Sequence, residues 1–138
     1  MAIQFRETTR NARLDTIESN AGTAVALRVY TGAQPANCAA ANSGTLLAHL
    51  LPPSDWMGAA STGTKAKAGT WQDASADGGA ADTPGHFRMY ASQATFDGTT
   101  CFMQGSCGIG SGDINFDGTI TAGQVVTIST FVLTSGNA

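Results

Sequence analysis

The chain has 138 residues, a formal net charge of −3 and only 12% charged residues, about half the usual ~25%. One domain of this length buries a core without needing disulfides or a metal, and the scarcity of Lys and Arg argues against a nucleic-acid surface, which needs them clustered. No apolar run approaches the ~18 residues of a membrane-spanning helix, and the opening Met-Ala-Ile-Gln-Phe-Arg lacks the basic stretch and apolar core of a signal peptide.

The charges are unevenly spread. Arg6, Glu7, Arg10, Arg13, Asp15 and Glu18 fall within one short segment. The rest of the polar surface must come from Thr, Ser, Asn, Gln and Gly, whose short side chains lose little entropy on contact. Such a surface suits close packing against a fixed partner, and it equally suits a neutral secreted β-domain.

Ile3 and Phe5 form a short apolar arm. From about Thr8 to Asn20 the pattern is helical, with Leu14, Ile17 and Ala21 on one narrow stripe and Gly22 as the stop. A stripe this thin places the helix at the domain edge or against a neighbour. The chain therefore divides into an amino-terminal docking element, residues 1–22, and a β-domain, residues 23–138. Deleting 1–22 is expected to leave a folded β-domain that no longer assembles.

After Gly22 the period falls to two. Val25, Leu27 and Val29 alternate with Ala26, Arg28 and Tyr30, which predicts a half-buried strand. Thr31 to Pro35 is turn chemistry, followed by a small-residue loop to Ser43. Thr45 to Leu51 is apolar on both faces and ends at Pro52-Pro53. A short strand is expected over Lys65–Trp71, a surface loop over Asp73–Pro84, and strands over His86–Tyr90 and Thr99–Cys107. Along Gln124–Thr134, Val126 and Ile128 are out of phase with Phe131 and Leu133. Either a β-bulge near Ser129-Thr130 aims all four at one core, or both faces of the strand are buried. Six to eight short strands after one helix predict a mainly β fold, a β-sandwich with jelly-roll-like topology as one form.

Several constellations invite chemistry. Asp113-Ile-Asn115-Phe-Asp117-Gly118 matches the start of an EF-hand calcium loop. However, its twelfth position is Gln124 instead of a bidentate acid, and no helix pattern flanks it. A tight turn is the preferred reading. Gly58 to Lys65 resembles a phosphate loop with its lysine out of register. His49 and His86 lack a second ligand at zinc spacing, and no nucleophile-elbow motif is present. Trp56, Trp71 and Tyr90 suit either a carbohydrate platform or the core, with the core favoured. Cys38, Cys101 and Cys107 are an odd set without metal spacing, read as reduced thiols packed as small apolar groups. Catalytic, cofactor-binding and metal residues are therefore assigned as none.

The phrases M-A-I-Q-F…R-N-A-R-L-D-T-I-E, L-R-V-Y-T-G-A-Q-P-A-N-C, G-T-W-Q-D-A-S-A-D, G-H-F-R-M-Y and I-T-A-G-Q-V-V-T-I-S-T-F run along nearly the whole chain. Together they resemble a group of small tailed-phage and prophage virion structural proteins. The resemblance implies a non-enzymatic virion component assembled in the host bacterial cytoplasm, with no cofactor and no catalytic residues to carry over. The leading expectation is a head decoration or cement protein, homo-oligomeric or bound to the phage major capsid protein or other virion proteins. A tail or adsorption-apparatus protein is the alternative, and a carbohydrate-binding module is a third.

Overall fold

The computed structural model describes residues 3–136, so the outermost two residues at each end of the 1–22 and 23–138 division lie outside it. One helix, α1 (Glu7–Ala21), precedes eleven strands. These are β1 (Ala26–Tyr30), β2 (Leu46–Leu50), β3 (Thr64–Ala66), β4 (Trp71–Asp73), β5 (Ala80–Asp82) and β6 (His86–Tyr90). They continue with β7 (Cys101–Ile109), β8 (Ile114–Phe116), β9 (Ile120–Thr121), β10 (Val126–Ile128) and β11 (Val132–Thr134). The fold is mainly β and sandwich-like, as expected, although the chain is cut into more and shorter strands.

A five-stranded sheet in the order β2-β1-β6-β7-β8 forms one layer. The pairs β4/β10, β3/β11 and β5/β9 supply the rest. The alternation read from the sequence places Leu27, Val29, Ala48, Leu50, Phe87 and Met89 on the inner face, all buried in one core cluster. The layers meet through aromatic rings. Phe87 packs edge-on to Phe131 at 5.9 Å, Phe131 lies 5.3 Å from Trp71, and Trp71 lies 6.1 Å from Trp56. Offset and edge-on contacts of this kind add to the apolar burial.

The expected Lys65–Trp71 strand is instead two strands, parted by a turn at Gly69. That residue has φ +64, and a Cβ there would lie 2.6 Å from the Pro53 ring. The expected loop from Asp73 to Pro84 contains β5. The long carboxy-terminal strand is broken where its phase changes. β10 pairs with β4 and β11 pairs with β3, so Ser129–Phe131 carries the chain from one pair to the other. Val126, Ile128 and Phe131 are buried, and Leu133 packs against the same core. A break thus gives the inward aim that a bulge would have given, and the alternative of a strand buried on both faces fails at exposed Val125 and Val132.

Glycine also makes β8 possible. β7 and β8 are parallel, with Cys107 opposite Ile114, although only residues 110–113 connect them. Parallel neighbours ordinarily need a crossover of a dozen or more residues. Here Gly110 and Gly112 sit at φ +69 and +89, a region closed to most side chains. The Asp113 carboxylate locks the return by accepting bonds from the Ser106 N–H and Oγ, both at 2.8 Å.

The helix is built into the domain. Leu14 and Ala21 are buried, and Ile17 packs on the core. The Lys65 amine on β3, itself buried, binds Asp15 at 2.6 Å and Glu18 at 2.8 Å. Burial alone would lower the lysine pKa, but the bonds to the two carboxylates outweigh it and hold the pKa above its ordinary value. The same bond holds the Asp15 carboxyl below its usual range. At the other end of the helix, Glu7 accepts the Thr62 N–H and Asn11 accepts the Gly63 N–H. Thr62 and Gly63 both have positive φ, 52° and 75°, the two-residue turn that best matches strand twist. A β-branched residue is poorly suited to that conformation. Thr62→Asn should therefore raise stability by about 0.5–1 kcal/mol, read as a higher urea midpoint at unchanged slope.

Candidate functional site

The sequence-predicted candidates scatter across the fold. Trp56, Trp71 and Tyr90 are fully buried. Trp56 Nε1 donates to the Gly22 carbonyl at 3.1 Å, and Trp71 Nε1 donates to Ala68 at 3.0 Å. They cannot form an exposed sugar platform, so the carbohydrate-module reading loses the residues on which it stood. The phosphate-loop look-alike ends in the tight turn at Thr62-Gly63 and leads into β3, with Lys65 turned to the helix carboxylates. In the calcium-loop look-alike, Asp113 is bonded to Ser106 and Asn115 belongs to β8, a strand where the turn reading expected none. Among the described residues, no three His, Cys, Asp or Glu side chains cluster as a metal site.

The outer face of the half-buried strand expected at Val25–Tyr30 is partly covered, as is the face of its sheet neighbours. His49, Arg28, Arg88 and Gln104 stand side by side in register across β2, β1, β6 and β7. Two loops, residues 31–45 and 91–100, cover this polar row. Arg88 is fully buried and donates to the Cys38 carbonyl at 2.6 Å, the Ala40 carbonyl at 3.1 Å and Asn42 Oδ1. The Tyr90 hydroxyl donates to the same Asn42 oxygen at 2.8 Å. Gln104 Nε2 donates to Pro35 at 2.6 Å. Phe96 lies 3.5 Å from the Arg28 guanidinium, 4.9 Å from the His49 ring and 5.5 Å from the Tyr90 ring. Asn42 Nδ2 ties the two loops together by donating to the Phe96 carbonyl at 2.7 Å. These groups hold loops to a sheet, so their chemistry here is structural.

Burial sets the titration of this region. Burial lowers the His86 pKa, the nearby Arg88 charge lowers it further, and the bond to the Gly32 carbonyl only partly opposes them. The ring is therefore neutral at pH 7, with Nδ1–H donating to Gly32 at 2.9 Å. Burial also raises the Cys101 thiol and pushes the Cys107 thiol up to about 12, with the Asp113 charge adding to the second. The three thiols are free, and the two buried ones stay protonated. Iodoacetamide at pH 8 should reach half-buried Cys38 first, and Cys101 and Cys107 only after denaturant is added. The linkage has a definite sign. From their ordinary value near 9.0 up toward 12, an unfolded chain loses thiol protons that the folded chain retains. Stability should then fall as pH rises through that window, seen as a declining urea midpoint.

One surface open to a partner among the described residues is a groove of ≈ 640 Å3 between β8 and the segment from Gln124 to Val132. Both walls are strand edges. β8 ends the five-stranded sheet, and β10 pairs only with β4. Asp113 and Asp117 stand at the two ends of β8, both exposed. Val125 and Val132, 55% and 49% exposed, form the opposite rim. Ile109, in register with Phe116 on the other side of β8, is also exposed. Val125 and Val132 lie outside the four positions whose phase the sequence pattern singled out, so the sequence carried little signal for this surface. No protein-family model, curated protein or solved structure matches the chain.

Proposed function

We propose that this chain is a non-enzymatic structural protein of a tailed-phage virion. In this reading it decorates the head and stabilises the shell through many repeated protein contacts. The observation that carries the proposal is the groove. Two strand edges, with exposed Val125 and Val132 on one rim, make a surface that another protein segment can cover. Open edges of this kind are a liability unless a partner covers them. The sparse charge of the sequence supports the same reading, because neutral short side chains pack with little desolvation cost. Partners are the major capsid protein or other virion proteins, and further copies of this chain.

The test is immunogold electron microscopy of intact virions with antibody to this chain. Gold on heads is the expected result. Gold on tails would move the protein to the tail or its adsorption apparatus. No label, with the chain also missing from the mass spectrum of purified particles, would sink the virion reading.

A further inference from the structure

We propose that Cys38 and Cys101 are a redox-responsive pair, which closes to a disulfide and staples the loop of residues 31–45 to β7 when the protein meets a small-molecule disulfide such as oxidised glutathione. The inference goes beyond the virion reading and does not depend on it.

Three segments meet on the covered face of the main sheet to make the pair. The first is β7. Its register with β6 slips between Met89 and Tyr90, which sets Cys101 opposite Tyr90. Cross-strand neighbours share a face, and the Tyr90 hydroxyl donates to Asn42 of the covering loop. Cys101 therefore stands under that loop, whereas Cys107 belongs to the core cluster on the other side of the sheet. The second segment is the loop itself. Arg88 donates to the carbonyls of Cys38 at 2.6 Å and Ala40 at 3.1 Å, and the Ala40 N–H closes a turn on Asn37 Oδ1 at 3.0 Å. These bonds fix the backbone on both sides of Cys38. The third is the stretch 91–100 that leads into β7. Gly98 lies so close to Ala39 that a Cβ there would come within 2.2 Å of the Ala39 carbonyl oxygen. The residue after Cys38 is thus pressed against the chain just before Cys101. The two thiols end within hydrogen-bonding reach of each other, and the Arg88 guanidinium reaches the Cys101 thiol as well.

Exposure divides the roles. Cys38 is half-buried and Cys101 is buried. Burial pushes the Cys101 thiol pKa up to about 11, with the Cys38 thiol adding to the rise and Arg88 opposing it. Cys38 is therefore the thiol that an incoming disulfide meets. Its thiolate attacks one glutathione sulfur, forms a mixed disulfide and expels the other glutathione as a thiolate, which takes up a proton. Cys101 then gives its proton to solvent and attacks the Cys38 sulfur. The mixed bond breaks, and the second glutathione leaves as a thiolate that is protonated in turn. The protein gives up two electrons and two protons, and one glutathione disulfide becomes two thiols. Such a pair stays open in a thiol-reducing compartment and closes where disulfides persist.

The test uses the full-length protein, purified with reductant and then held in oxidised glutathione. Peptide mass mapping without reduction should show one bridge, Cys38 to Cys101 within a single chain, and a free Cys107 that is alkylated only in denaturant. The oxidised protein should have a higher urea midpoint and a shallower slope, because the cross-link restricts the unfolded chain and keeps part of its surface covered. Dithiothreitol should return both to the reduced values. Cys38→Ser and Cys101→Ser should each abolish the shift, and Cys107→Ser should retain it. Cys38 is the less buried of the pair, so its variant carries the test where Cys101→Ser fails to fold. Glutathione retained on Cys38 beside an intact Cys101 thiol would overturn the proposal. So would three unmodified thiols, a bridge between two chains, a bridge that includes Cys107, or an oxidised protein no more stable than the reduced one.

Discussion

Arg88→Ala should lower stability by about 3 kcal/mol and release the loop of residues 31–45. The guanidinium binds two loop carbonyls and Asn42 from a site without solvent access. Its removal leaves a cavity and frees the loop's anchor, which water repays only in part. A buried charge also carries a desolvation cost, so the loss should fall short of the sum of the broken bonds. Arg88→Lys should restore little, because one ammonium cannot reach acceptors spread across a planar fork. The urea midpoint gives the energy, and limited proteolysis gives the location: cleavage should appear between residues 31 and 45 before any other site. A variant with a wild-type midpoint would mean that the network contributes nothing net to stability.

Deleting residues 1–22 should cost on the order of 5 kcal/mol, since each Leu- or Ile-sized side chain loses about 1.5–3 kcal/mol of burial and the whole domain holds only about 5–15. Leu14, Ile17 and Ala21 leave the core. Trp56 loses its acceptor at Gly22, and the Lys65 amine loses Asp15 and Glu18. The sequence pattern predicts a separable docking helix and a β-domain that folds without it. The packing of α1 makes that helix part of the domain instead. If 23–138 unfolds at the wild-type midpoint, the helix is an appendage after all.

Whether the amino-terminal helix serves its own domain or a neighbour is decided by the packing of Leu14, Ile17 and Ala21 and by the Lys65 ion pairs. The distinction was not legible in the sequence. The apolar stripe of Leu14, Ile17 and Ala21 is equally compatible with docking at home and docking on a neighbour. The partners of Lys65 are 50 and 47 positions away along the chain, and no local pattern announces them. Similarly, Asp113-Ile-Asn115-Phe-Asp117-Gly118 has the oxygens of a cation loop. Only the placement of Ser106 beside Asp113 shows where the first carboxylate is spent.

The sequence by itself determined the helix and its stop at Gly22 and the two-residue period of β1 and β6, while the common aim of Val126, Ile128 and Phe131 was left open between two readings. These are local properties, written in periodicity and in the backbone freedom of glycine. It also determined that Trp56 and Trp71 belong to a core, because rings of that size are rarely left to solvent in so small a domain. Tertiary structure alone decided that the outer face of the main sheet is covered. Arg28, Arg88 and Gln104 alternate as solvent-facing residues would, and only the return of two distant loops buries Arg88 and partly covers Arg28, His49 and Gln104. It also decided which edges stay open. A strand's two edges carry the same N–H and C=O groups whatever its side chains, so pairing across long sequence separations determines whether an edge is satisfied or exposed. That is why the groove beside β8 exists in the fold and has only a faint trace in the sequence.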